Sequence, residues 1–126
     1  MTSTLLHITS GEAWRDGVRH GRYEGDTLAS EGFIHCSFPD QVLAVANTRF
    51  RGARGLVLLV IDSDRVACPI RHENLEGGAD PFPHVYGPLN LDAVVEVRAF
   101  DPGPDGTFRG EWNRYERLES WPESRE

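Results

Sequence analysis

The sequence predicts an α+β domain, and three observations predict it. Gly55-Leu56-Val57-Leu58-Leu59-Val60-Ile61 is an uninterrupted apolar run, the pattern of a central strand buried on both faces. Ala93 to Phe100 is a second run rich in β-branched residues. Ahead of them lie two segments with helical signals, one opened by Thr9-Ser10-Gly11-Glu12 and one carrying Val42, Leu43, Val45, Ala46 and Phe50 at helical spacing. A chain of 126 residues supports one such core and is too short for two. The domain is placed at residues 1–110, with 111–126 a C-terminal tail that docks in part through its aromatic residues and frays by Pro122.

In chain order, Leu5-Leu6-His7-Ile8 reads as a first strand. The Thr-x-x-Glu spacing of Thr9 and Glu12 then caps a helix that carries Ala13, Trp14 and Val18 inward and ends near Gly21. Tyr23-Glu24-Gly25-Asp26 reads as a turn. Strand alternation over Phe33 to Ser37 puts Phe33, His35 and Ser37 on one face and Ile34 with Cys36 on the other, which makes Cys36 a core residue. Ser37, with Pro39 and Asp40 behind it, has the chemistry of an N-cap for the second helix, whose free amides would then face an anionic group.

Asp62-Ser63-Asp64 ends the central strand in a turn, and Cys68 to Glu73 is a further short strand with Glu73 near its end. Asn74 to Pro81 is a polar loop of a length that suits a lid or a plain surface connection. It leads into Phe82-Pro83-His84-Val85-Tyr86-Gly87-Pro88-Leu89, where the prolines fix the backbone and alternation displays His84 and Tyr86 on one face. The alternative there is an edge strand whose Tyr caps the core and whose His is solvated. Pro104-Asp105-Gly106 is a turn.

Charge narrows the function. A net charge of −7 with no run of Arg argues against an extended nucleic-acid surface. The sequence has no Lys, so a Schiff base is excluded and any anion would be held by an Arg fork or by backbone amides. Two cysteines without a second pair fit a reduced protein, and with no signal peptide or apolar span a soluble cytoplasmic location is expected, without membrane contact.

The candidate chemistry rests on His7, His35 and His84 at strand ends together with Tyr86. Such a set binds ribose hydroxyls and phosphate oxygens while one imidazole works as acid or base near neutral pH. Three histidines also suit a metal, but they come from separate segments without short ligand spacing, and no metal ligands are assigned.

Leu6-His7-Ile8-Thr9 with Trp14, Glu31-Gly32-Phe33-Ile34-His35-Cys36-Ser37 with Gln41 and Asn47, Glu73, and Phe82 to Leu89 together resemble the bacterial domain of unknown function DUF952. The resemblance runs from about Leu5 to Phe108. It implies a compact relative of the ADP-ribosyltransferase fold, with mostly antiparallel, split sheets and two main helices that clasp NAD. On that resemblance His7 is similar to a first-strand His that holds a ribose hydroxyl, and His35-Cys36-Ser37 to the His-x-Ser of NAD-using RNA 2′-phosphotransferases. His84 and Tyr86 fall near a third motif where transferring members place a Glu, a role open to Glu73 if the fold brings it in.

The expected function is therefore an enzyme acting on a nucleotide-like substrate, by transfer or hydrolysis at NAD, ADP-ribose or a 2′-phosphate. His7, His35, His84 and Tyr86 are its candidate catalytic residues, with Thr9, Trp14, Ser37, Glu73 and Phe82 binding substrate. The alternatives are a non-catalytic nucleotide or small-ligand binding module and a His-ligated metal-dependent hydrolase. His7, His35 and Tyr86 are expected to line one concave pocket.

Overall fold

The structure, a computed structural model, describes residues 3–75, 78, 80–110 and 112. In chain order it contains β1 (Thr4–Ser10), α1 (Gly11–His20), β2 (Arg22–Tyr23), α2 (Leu28–Glu31), β3 (Ile34–His35), α3 (Val42–Arg49), β4 (Leu56–Asp62), β5 (Ile70–Glu73), β6 (Phe82–Val85), β7 (Leu89–Asn90) and β8 (Val94–Ala99). The strands form three antiparallel sheets, ordered β1-β4-β8, β3-β6-β5 and β2-β7. The fold is α+β with split sheets, and the short α2 is added to the two expected helices. Among the described residues no helix is long and apolar enough to cross a membrane. Apart from Trp112, the 111–126 tail lies outside the described residues.

β4 organises the core because its apolar run feeds two faces. Leu59 and Ile61 pack with Leu5 of β1, with Tyr23, Ile34, Val85 and Leu89 from the two smaller sheets, and with Cys36 just beyond β3. Leu56, Leu58 and Val60 pack on the other side with Leu6, Ile8, Phe100 and the Val42 and Ala46 face of α3. Each such side chain, fully buried, contributes about 1.5–3 kcal/mol. Leu6 and Ser37 then exchange both backbone hydrogen bonds, at 2.7 and 2.8 Å, which ties β1 to the segment after β3.

Four local expectations are corrected. The cap of α1 is Ser10, whose hydroxyl accepts from the Ala13 N–H at 3.0 Å, whereas Thr9 is still a strand residue. Val18 faces solvent, because α1 approaches β2 through Gly17, where an added Cβ would lie 3.1 Å from Tyr23 Cα. Tyr23 belongs to a strand and is buried. Ser37 does not cap α3: its backbone is committed to Leu6, and the helix begins only at Val42. Gln41 organises the intervening turn, accepting from Phe38 N–H at 2.9 Å and donating to Pro81 O at 2.9 Å. The Phe38 amide is thus already bonded, and no helix N-terminus follows directly on Ser37.

β6 is the middle strand of its sheet, and His84 on it is 4% exposed, in place of an edge strand with a solvated His. Pro83 is tolerated in the middle because its N–H would point toward the β3 side, where its carbonyl already accepts from Cys36 N–H at 3.1 Å. The missing donor ends β3 at His35. Just beyond β6, Gly87 has φ +148, and a Cβ there would stand 2.3 Å from Cys68 Sγ, so only glycine fits.

Candidate functional site

Two facing strands carry the central groups. His35 on β3 and His84 on β6 are cross-strand partners, and their rings meet edge to face with centroids 5.2 Å apart. Phe33, on the same face by alternation, stacks on His84 at 4.2 Å and holds its ring plane. Each imidazole has a carboxylate. His84 Nδ1 lies 2.9 Å from Glu73 Oε1, and His35 Nε2 lies 3.0 Å from Glu31 Oε1, one helical turn earlier in sequence.

Glu73 is further bonded by the Tyr86 hydroxyl, which donates to the same Oε1 at 2.6 Å. The Tyr86 bond first, then His84, holds the Glu73 carboxyl below the usual range, while Glu73 pushes the Tyr86 phenol up. The Arg71 guanidinium sits over the Tyr86 ring at 4.8 Å and adds a smaller effect of the same sign on Glu73. An ionised Glu73 fixes the proton of a neutral His84 on Nδ1, so Nε2 carries a lone pair. That atom has no hydrogen-bond partner among the described residues and is not sealed from solvent.

His84 opens on a cavity of about 290 Å³. Its walls are the His7 segment of β1, the end of α3 with Arg49 and Phe50, the Asp26–Ser37 segment, and Glu73, Leu75 and Phe82. Of the predicted residues, the structure brings His7, His35, Ser37, Glu73, Phe82 and His84 to this cavity. Tyr86 is not on its wall and acts through Glu73, so the expectation that His7, His35 and Tyr86 share a wall is corrected at Tyr86. Trp14 packs beside Tyr23 at 6.1 Å between centroids, and Thr9 lines an adjoining hollow of about 740 Å³. Of the loop expected as a lid, Leu75 reaches the cavity, and Glu76, Gly77 and Ala79 lie outside the described residues.

His7 is placed differently from the other two. Its Nδ1 bonds the His35 carbonyl, which can only accept, and its Nε2 lies 2.8 Å from the Tyr23 hydroxyl. Burial pushes its pKa down to about 4, so the ring is neutral and Nε2 must accept the phenol proton. Thr9 Oγ1, 2.8 Å from the same phenol oxygen, then supplies the proton that Tyr23 accepts. Both His7 nitrogens are engaged, which orients the backbone of His35 and leaves no lone pair for an incoming group. Among the described residues no group of three or more His, Cys, Asp or Glu is arranged to hold a metal ion. Cys36 is core, its thiol pushed up to about 12 by burial.

Sequence reasoning missed Tyr23, Phe33, Glu31 and Asp26. Phe33 and Glu31 had usable signals, the alternation with His35 and the four-residue spacing. Tyr23 had none, since it reaches His7 only through the pairing of β2 with β7.

The fold and its neighbours agree. The crystal structure of protein CC0527 from Caulobacter crescentus superposes with a TM-score of 0.77 at 31% identity, covering 85% of this chain and 94% of that one. The solution structure of the same protein gives 0.73 at 33% identity, covering 84% and 91%. No curated relative matches the chain. Residues 8–97 match the model of the protein family of unknown function DUF952. That span contains both carboxylate–imidazole pairs, and the chain belongs to the DUF952 family.

Proposed function

We propose that the protein is an enzyme that acts on a nucleotide-like substrate by proton transfer, with His84 as base and His35 as the second proton-transfer group. The observation that carries this reading is His84 on the cavity wall, with Glu73 2.9 Å from its Nδ1 and no hydrogen-bond partner for its Nε2 among the described residues. A carboxylate on one ring nitrogen fixes the tautomer and leaves the other nitrogen to accept, the arrangement proton-transfer sites use. The second pair, His35 with Glu31, places another imidazole on the wall of the same cavity.

The resemblance to the ADP-ribosyltransferase fold supports a ribosyl-bearing substrate of the NAD, ADP-ribose or 2′-phosphate type. Glu73 supports it further, because an ionised carboxylate stabilises positive charge developing on a ribose carbon. The ribosyl end would enter the smaller cavity, and the larger hollow, which shares His7, Ile8, Asp26 and Phe50 with it, has room for the remainder. A second reading, a binding module without turnover, is favoured by His7, whose ring is locked on both nitrogens.

Incubation with NAD, ADP-ribose and a 2′-phosphorylated oligonucleotide, with products followed by mass spectrometry and binding by calorimetry, tests both. Turnover that His84→Ala abolishes is expected. Binding without turnover selects the module, and no heat with any of the three at millimolar concentration removes the nucleotide reading.

A further inference from the structure

The wall around His84 carries a charge pattern that bears on what else enters. Asp26, Glu31 and Glu73 line the cavity, and Arg49 is the one guanidinium among its described lining residues. The His84 side chain is 5% exposed, yet its Nε2 has no protein partner among the described residues. Nε2 is not sealed from solvent, so an entering ligand can bring a donor to it in place of water. A phosphate there would meet several carboxylates at close range, whereas a cationic N–H group satisfies the lone pair and the field together.

We propose that this cavity takes a small organic cation, a protonated amine or guanidine, which donates an N–H to His84 Nε2 and holds its charge among Asp26, Glu31 and Glu73. This deepens the reading above and rests on it, naming a second ligand for the same site beside the nucleotide-like one. The shared wall of the two hollows gives the pair a common boundary at His7 and Asp26. Asp26 is exposed there and forms no hydrogen bond among the described residues, so its carboxylate is available to the incoming charge. Glu31 keeps its second oxygen for the same purpose, since His35 is bonded to Oε1.

Calorimetry of the full chain with putrescine and agmatine, against the isosteric 1,4-butanediol and succinate, tests this with and without ADP-ribose. Both cations are expected to bind, less tightly as salt rises, and neither the diol nor the diacid. Asp26→Asn and Glu31→Gln, both at exposed positions, should each weaken cation binding about three- to tenfold. Equal response to the diol, or no response to either cation, overturns the proposal even where ADP-ribose binds. Cation binding that both variants leave unchanged also overturns it, by placing the amine elsewhere on an acidic surface. Cation binding weakened by the variants while no nucleotide binds supports the cation site and removes the nucleotide reading instead.

Discussion

The Tyr23 hydroxyl lies 2.8 Å from Nε2 of His7, a ring whose other nitrogen is already spent on the His35 carbonyl. Because the ring is neutral, this bond has one direction, phenol to imidazole, and Thr9 completes the chain behind it. Tyr23→Phe should therefore leave Nε2 buried without a donor and cost about 1–3 kcal/mol of stability. Thr9→Val removes only the outer member and should cost less. Urea unfolding of the two variants checks the order, and a Tyr23→Phe midpoint equal to wild type would dissolve the chain.

His7 also sets a pH dependence. Its folded pKa of about 4 lies below the ordinary 6.5, so the unfolded chain binds more protons between those values. The contribution of the neutral ring is complete above pH 6.5 and is lost as pH falls toward about 4. The loss is on the order of 3 kcal/mol. Unfolding free energies measured from pH 4 to 8 should show that slope in wild type and a shallower one in His7→Gln. Glu73 adds a loss of the same sign at lower pH, where its depressed carboxyl protonates.

The two imidazoles of the cavity should separate stability from chemistry. His35 is 30% exposed in its side chain, so His35→Ala should keep its melting temperature within a few degrees. Turnover should fall by about 10²–10⁴-fold if it moves a proton. Tyr86→Phe removes the first hydrogen bond that holds Glu73 down, and NMR titration of the Glu73 carboxyl should show its pKa rise. A Glu73 unaffected by Tyr86→Phe would detach Tyr86 from the site.

Gly87→Ala tests packing behind β6. The new methyl would collide with Cys68 Sγ in a backbone conformation that side chains avoid, and a loss of about 1–3 kcal/mol is expected. Cys68→Ala on the same chain removes the sulfur but not the strain, so the double variant should recover part of the loss. Full additivity in a double-mutant cycle would refute the contact.

Helix capping offers the last comparison. Ser10→Ala should cost about 1 kcal/mol through the lost bond to Ala13 N–H, whereas Ser37→Ala should show no capping loss, its hydroxyl being no cap. Thermal melts of the pair decide which serine starts a helix.

What could be read from the sequence was local. Period-two alternation in Phe33 to Ser37 is set by the backbone itself, so Ile34 and Cys36 fall in the core and Phe33 and His35 face each other across from it. The apolar run of β4 has one cheap placement, between two layers, and takes it. The failures came where a distant partner outbid a local preference. Ser37 had the neighbours of a cap, but its backbone bonds went to Leu6, and Val18 had helical spacing, but only Gly17 let the helix close on Tyr23. The Glu73–His84 pair was likewise decided by the register of β5 on β6, which no local pattern encodes.

In the β1-β4-β8 sheet no two neighbouring strands are consecutive in the chain. During synthesis β1 has only the Leu6 bridge to Ser37 until its strand partner β4 has left the ribosome, and β4 then waits, with one edge open, for Val94 to Ala99. The apolar segment Leu56–Ile61 therefore keeps one edge unpaired through that interval, a form in which aggregation and chaperone capture compete with folding. The strand that unites both halves of the core is thus also where the nascent chain is most vulnerable, and slowing translation between Asp62 and Val94 should lower the soluble yield more than slowing it before Leu56.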